Sequence, residues 1–172
     1  MYDKATFYDF DQYQETAYKW QLDFRLMSKG GFNSTRTSLI TDKVIINLSQ
    51  INGQIVQYDL CPSGFRTFVV PVADCKDFYW LKRNITQNQI MAFPSNRTLD
   101  AISFDGFQVY TISISNSYLE SLLNRLEFDN ASKLLSDDEV AINVRTFYEV
   151  LSAECQFIVK SWISFSLHFR IS

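Results

Sequence analysis

The chain has 172 residues, 47% of them hydrophobic and 16% aromatic, and carries a net charge of −3. That length can bury a substantial single core, and so apolar a composition excludes intrinsic disorder. The slightly acidic balance excludes a broad phosphate-gripping surface, so the chain itself is not expected to contact nucleic acid.

Up to about Tyr18 the chain mixes Asp, Gln and aromatics and reads as a lead-in, with a short helical turn around Asp9 to Thr16. Trp20, Leu22, Phe24 and Leu26 then alternate with Gln21, Asp23, Arg25 and Met27, the period-two mark of a half-buried strand. Gly30-Gly31 interrupts it, and Phe32 to Thr41 resumes as a polar strand rich in Ser and Thr. Asp42-Lys43 is a turn before a strand over Val44 to Ile51. Asn52-Gly53 predicts a type I′ hairpin, because both residues tolerate positive φ, with Ile55 to Leu60 as the returning strand.

Pro62-Ser63-Gly64 makes another turn, and Phe65 to Val72 is a strand with Pro71 near its end, where a missing N–H does least harm. Phe78 to Leu81 and Gln89 to Phe93 are strands flanking a polar loop at Lys82 to Asn88. Leu99 to Phe104, a turn at Asp105-Gly106, and Phe107 to Ser115 complete the β series. Strands at such regular spacing predict a sandwich or barrel.

From Asn116 the period turns helical, with Leu119, Leu122, Leu123 and Leu126 on one face. A second helix is expected to run to about Lys160. Ser136 and Glu139 form its capping box, and Val140, Val144, Phe147, Tyr148, Leu151, Cys155 and Ile158 form an apolar stripe. That stripe packs on its own barrel or the first helix, and Phe147, Leu151, Cys155 and Ile158 are the candidate contacts to a second subunit. In the tail, Ile163, Phe165, Leu167, Phe169 and Ile171 alternate with Ser164, Ser166, His168 and Arg170. The pattern predicts a strand that returns to the sheet, pairs between subunits, or extends non-natively past a truncated frame.

No uncharged apolar run is long enough for a transmembrane helix, and Met1-Tyr2-Asp3-Lys4 lacks the basic start of a secretory signal. Cys61, Cys75 and Cys155 are odd in number and widely spaced, as buried or free thiols in a reducing cytoplasm would be. A cytoplasmic location without membrane contact is therefore expected, and the Asn-x-Ser/Thr triplets read as a polar surface rather than glycosylation sites.

Trp20-x-Leu22-Asp23-Phe24-Arg25, Gly31-Phe32, Pro62-x-Gly64-x-x-Thr67-Phe68, Phe78-x-Trp80, Phe93-Pro94 and Gly106-Phe107-x-Val109-Tyr110 together resemble the N-terminal half of certain AraC-type transcription regulators. The resemblance covers roughly residues 9 to 127. It implies a mainly β fold with C-terminal helices: a cupin-like β-barrel (double-stranded β-helix) over 1–115, a two-helix dimerisation segment over 116–160, and the strand-like tail over 161–172. It also implies effector sensing, pairing as a homodimer, and a part in transcription regulation. The helix-turn-helix units that read the major groove in that family have no counterpart in the tail.

Catalytic chemistry is thinly represented. His168, the one histidine, is a weak base for Ser-His-Asp or Cys-His catalysis, and the barrel region holds none to collect a metal. Asp100 with Asp105, and Asp74 with Asp77, are better explained as turn formers, and Asp137 with Asp138 as partners of a helix start. No enzyme activity, metal or cofactor is therefore expected. The remaining site is the barrel interior, where Trp20, Phe24, Phe68, Trp80 and Tyr110 line a pocket or simply fill the core, and where Arg25 and Arg66 face an anionic effector or point to solvent. Two other functions fit the same residues: a metal-independent cupin-type enzyme of small molecules, and a structural protein–protein adaptor.

Overall fold

The computed structural model describes residues 1–16, 20–21, 23–28, 31–72, 78–80, 82–86, 88–93, 98–125 and 140–143. The lead-in holds a strand, β1 (Tyr2–Phe7), before the expected helical turn, α1 (Phe10–Glu15). Asp9 caps that turn by accepting the Gln12 N–H at 2.8 Å. There follow β2 (Phe24–Leu26), β3 (Asn33–Ile40), β4 (Val44–Asn52), β5 (Ile55–Leu60), β6 (Phe65–Pro71) and β7 (Phe78–Trp80). Then come β8 (Arg83–Ile85), β9 (Gln89–Phe93), β10 (Thr98–Ser103), β11 (Phe107–Ser115), α2 (Asn116–Arg125) and β12 (Val140–Asn143). No helix among the described residues is long and apolar enough to cross a membrane.

The strands form two antiparallel sheets, one in the order β1-β3-β4-β11-β6-β9-β12 and the other β2-β5-β10-β7-β8. Pairing is nested: β4 with β11, β5 with β10, β6 with β9 and β7 with β8, successive pairs alternating between the sheets. Among the described residues no ladder joins one sheet to the other, so the expected closed barrel is a pair of facing sheets with open edges. The chain changes sheet at its corners instead of pairing across them.

Asn52-Gly53 is one such corner and corrects the expected hairpin. β4 and β5 belong to different sheets, and Gly53 has φ +119 while Asn52 keeps a negative φ. The Asp105-Gly106 corner crosses at the same end. The two corners are tied together by Gly53 N–H to Asp105 Oδ1 at 2.7 Å and Gly106 N–H to the Ile51 carbonyl at 3.1 Å. The polar loop expected at 82–88 instead holds β8, which turns back on β7 through Lys82 at φ 63. β8 is short and polar, so alternation alone could not reveal it.

The main core lies between the sheets. Val69, Met91, Phe93, Phe107 and Val109 from the large sheet meet Phe78, Trp80, Ile85 and Ala101 from the small one. A second cluster joins Phe7, Tyr13, Phe24, Phe32, Ile51 and Ile55, so β1 and α1 complete one end of the same interior. The large sheet is buried on its other face too. Leu119 and Leu123 of α2 cover Phe68, Ile90 and Ala92, a contact whose buried leucines contribute about 1.5–3 kcal/mol each.

α2 starts at Asn116 with the expected leucine face. The expected second helix does not extend over Val140–Asn143, which pairs antiparallel with β9. The free edge of β9 offers a ladder of backbone partners to the β-branched Val140 and Ile142, a long-range contact that helical spacing cannot register. Ser136 and Glu139, the residues from Val144 to Ile158 and the tail with His168 lie outside the described residues.

Polar groups inside the sandwich are paired across strands. Thr67 Oγ1 and Ser113 Oγ, both without solvent exposure, lie 2.9 Å apart on β6 and β11. Thr67→Val keeps the shape but strands the Ser113 hydroxyl, and is expected to cost about 1–3 kcal/mol in denaturant unfolding. The double variant Thr67→Val/Ser113→Ala should recover part of that loss; a fully additive cycle would show that the hydroxyl pair contributes nothing.

Candidate functional site

A partly open space of about 90 Å³ sits between the sheets. Its apolar wall is built by inward positions of both sheets, among them Phe24, Ile51, Phe78, Met91, Phe93 and Phe107. Trp80 stands edge-on to Phe93 with ring centroids 5.0 Å apart. The polar positions are Arg36 on β3, Asn47 and Ser49 on β4, Gln57 on β5, Ser103 on β10 and Thr111 on β11. A wider recess of about 290 Å³ adjoins it, lined by Asp3, Glu15, Thr16 and Ser38 and sharing Trp20, Arg36 and Asn47 with the inner space.

Arg36 is the one charged residue lining the inner space among the described residues. Strand alternation puts it on the buried face of β3 with Ser34 and Ser38. Nη2 donates to the Thr16 carbonyl at 2.8 Å and to Thr16 Oγ1 at 2.6 Å, while the guanidinium lies 5.1 Å from the Phe7 ring centre and 5.3 Å from that of Tyr13. Burial pushes its pKa below the usual value, opposed by Tyr13 and by Asp3. An arginine remains charged at neutral pH even so. Beside it, Ser38 Oγ donates to Asn47 Oδ1 at 2.8 Å and so orients that amide.

Two further groups are buried without partners: Trp80 Nε1 and Ser103 Oγ, on residues each 1% exposed. Both residues line the inner space. An unpaired buried hydroxyl is a liability to the fold. Ser103→Ala is therefore expected to leave stability unchanged or raise it by about 1 kcal/mol, measured by urea unfolding. A loss of more than about 1 kcal/mol would mean that the hydroxyl is paired after all.

Of the seven side chains expected in the interior, the structure brings together Trp20, Phe24 and Trp80. Arg25 is exposed on the outer face of β2, 5.9 Å over the Tyr58 ring. Phe68 lies under α2, and alternation puts Arg66 on that same outer face of β6. Tyr110 alternates with the inward Val109 and likewise faces outward. The reason is parity: the large sheet is covered on both faces, so a buried residue on β6 or β11 need not be an inward one. Arg36 was missed because β3 reads as polar throughout. The available signal was its alternation of Ser34, Arg36 and Ser38 in a strand hemmed in by apolar ones.

Cys61 is buried in the main core, and Cys75 lies outside the described residues. Among the described residues no three His, Cys, Asp or Glu side chains converge as a metal site would require. No protein-family profile matches the chain, and no curated protein sequence matches it. Among solved structures the chain is similar to the one described as the crystal structure of the AraC-like transcriptional activator CuxR. The TM-score is 0.54 at 10% identity, covering 73% of this chain and 52% of that one. The chain thus spans about half the length of that neighbour, and at this identity the likeness is one of fold.

Proposed function

We propose that the chain is a non-enzymatic ligand-sensing domain of the kind that AraC-type regulators carry, with the space between its sheets as the effector site. The observation that carries this is a buried arginine in the lining of that space, together with the unpartnered Trp80 Nε1 and Ser103 Oγ of two other lining residues. The two unpartnered groups have no use in a purely structural core, because each lowers stability unless something binds it, while the two hydrogen bonds of Arg36, both to Thr16, leave its charge unbalanced there.

The nested pairing of β4–β11, β5–β10, β6–β9 and β7–β8 supports a cupin-like double-stranded β-helix, a single antiparallel ribbon wound through both sheets. The fold-level likeness to an AraC-like activator supports the regulator reading. Signalling then proceeds by population shift: an effector that binds one arrangement of sheets and helices better than another changes the geometry of a homodimer. Phe147, Leu151, Cys155 and Ile158 are the proposed contacts of that pair.

A thermal-shift screen of sugars, small acids and amines tests the sensing, since a ligand bound only by the folded state must raise the midpoint. Light scattering with and without a hit tests the pairing. A chain that stays monomeric at micromolar concentration in both states rules out the dimer.

A further inference from the structure

We infer that the inner space is a site for a short aliphatic carboxylate, held by Arg36 and by the hydrogen-bonding groups of Trp80 and Ser103. The inference rests on the reading above that this space receives a ligand, and adds which class.

Charge decides the sign of the ligand. No acidic side chain among the described residues lines the inner space, and Arg36 is its only formal charge. The guanidinium's hydrogen bonds both use Nη2 and both end on Thr16, leaving Nε and Nη1 without a partner among the described residues. Two rings and one neutral residue offset only part of the cost of burying a cation. Asp3, the acidic group acting on it, stands on the exposed outer strand. A carboxylate matches the planar fork of the remaining donors and restores the missing charge.

Hydrogen-bond polarity narrows the class. The guanidinium and the indole N–H are donors only, and the serine hydroxyl adapts to either role. The ligand must therefore offer acceptors at two places: its carboxylate at Arg36, and a second oxygen within reach of Trp80 Nε1 and Ser103 Oγ. A 2-oxo or hydroxy acid has both. An ammonium group presents only donors where the site also presents donors, and a simple amide offers a carbonyl acceptor without the carboxylate's charge.

Volume sets the size. An apolar cavity of about 150 Å³ accepts a benzene molecule, whereas each water needs about 10–15 Å³. A space of about 90 Å³ therefore holds an acid of about three to five carbon atoms.

The test is titration calorimetry of the full chain with pyruvate, 2-oxobutanoate and propanoate. Propanamide and 2-butanone serve as neutral counterparts, and ribose and glucose as polyols. Binding of a carboxylate at least ten-fold tighter than its neutral counterpart supports the inference. So does a ten-fold or greater loss in Arg36→Lys with the circular dichroism spectrum retained, because lysine keeps the charge but not the fork. Because Arg36 also braces Thr16, Phe7 and Tyr13, Ser103→Ala provides an arm independent of folding: it should weaken 2-oxobutanoate several-fold and propanoate hardly at all. Equal binding by Arg36→Lys and the parent chain overturns the assignment. Binding of ribose, glucose or propanamide in place of the acids overturns the carboxylate class and leaves the sensing function standing. Silence from every probe and from the thermal-shift screen overturns both.

Discussion

Trp80→Ala is expected to lower the unfolding free energy by about 3–5 kcal/mol, and the apparent Tm by about 6–20 °C for a chain of this size. The side chain is 1% exposed, touches the edge of Phe93 and stands where β7 meets the main core, so its removal leaves a void that both sheets border. Trp80→Phe should behave quite differently. It keeps most of the apolar volume and discards an indole N–H that has no acceptor, so the cost should fall below about 1.5 kcal/mol. The contrast between the two variants, read in parallel urea titrations, separates packing from the unpaired donor. A phenylalanine variant as unstable as the alanine one would show that the N–H is satisfied.

The second large effect is expected at Gly53→Ala. The residue holds φ +119, a region L side chains rarely adopt, and an added Cβ would lie 2.9 Å from Ser28 Oγ and 3.1 Å from Leu26 Cδ1. Both atoms are the ends of flexible side chains that can give way, so backbone strain sets the cost, and a loss of about 1–3 kcal/mol is expected. The damage extends beyond one turn, because the Gly53 N–H also anchors the Asp105 corner. A melting temperature within about 1 °C of the parent would refute this account.

Strand positions were largely legible in the sequence, since period-two alternation and Gly, Pro and Asn punctuation depend on local chemistry. β3, β4, β6, β9, β10 and β11 fall where that pattern puts them, and α2 begins at Asn116. Which strands pair was not legible. Asn52-Gly53 carries a strong hairpin signal, yet it turns between sheets because β11 and β10 compete for its two flanking strands. Which side chains face the interior was not legible for a related reason. Ring size marks a residue as buried but does not say which face of a doubly covered sheet it occupies. On β6, however, Phe68 serves α2, while Thr67 on the opposite face pairs with Ser113 inside the sandwich. Arg36 lines the interior from a strand whose buried positions are otherwise Ser34 and Ser38.

The winding of the ribbon also orders events in time. Trp80 and Arg83 close the shortest loop, Val69 with Met91 a longer one, Leu60 with Thr98 longer again, and Ile51 with Phe107 the longest of the four. Entropy of loop closure favours assembly from mid-chain outward, each closed pair shortening the search for the next. Stopped-flow chevrons should then show substitutions around Lys82 slowing refolding, and those along β4 and β11 mainly hastening unfolding. The reverse assignment of rates would mean that the chain nucleates at its outer strands.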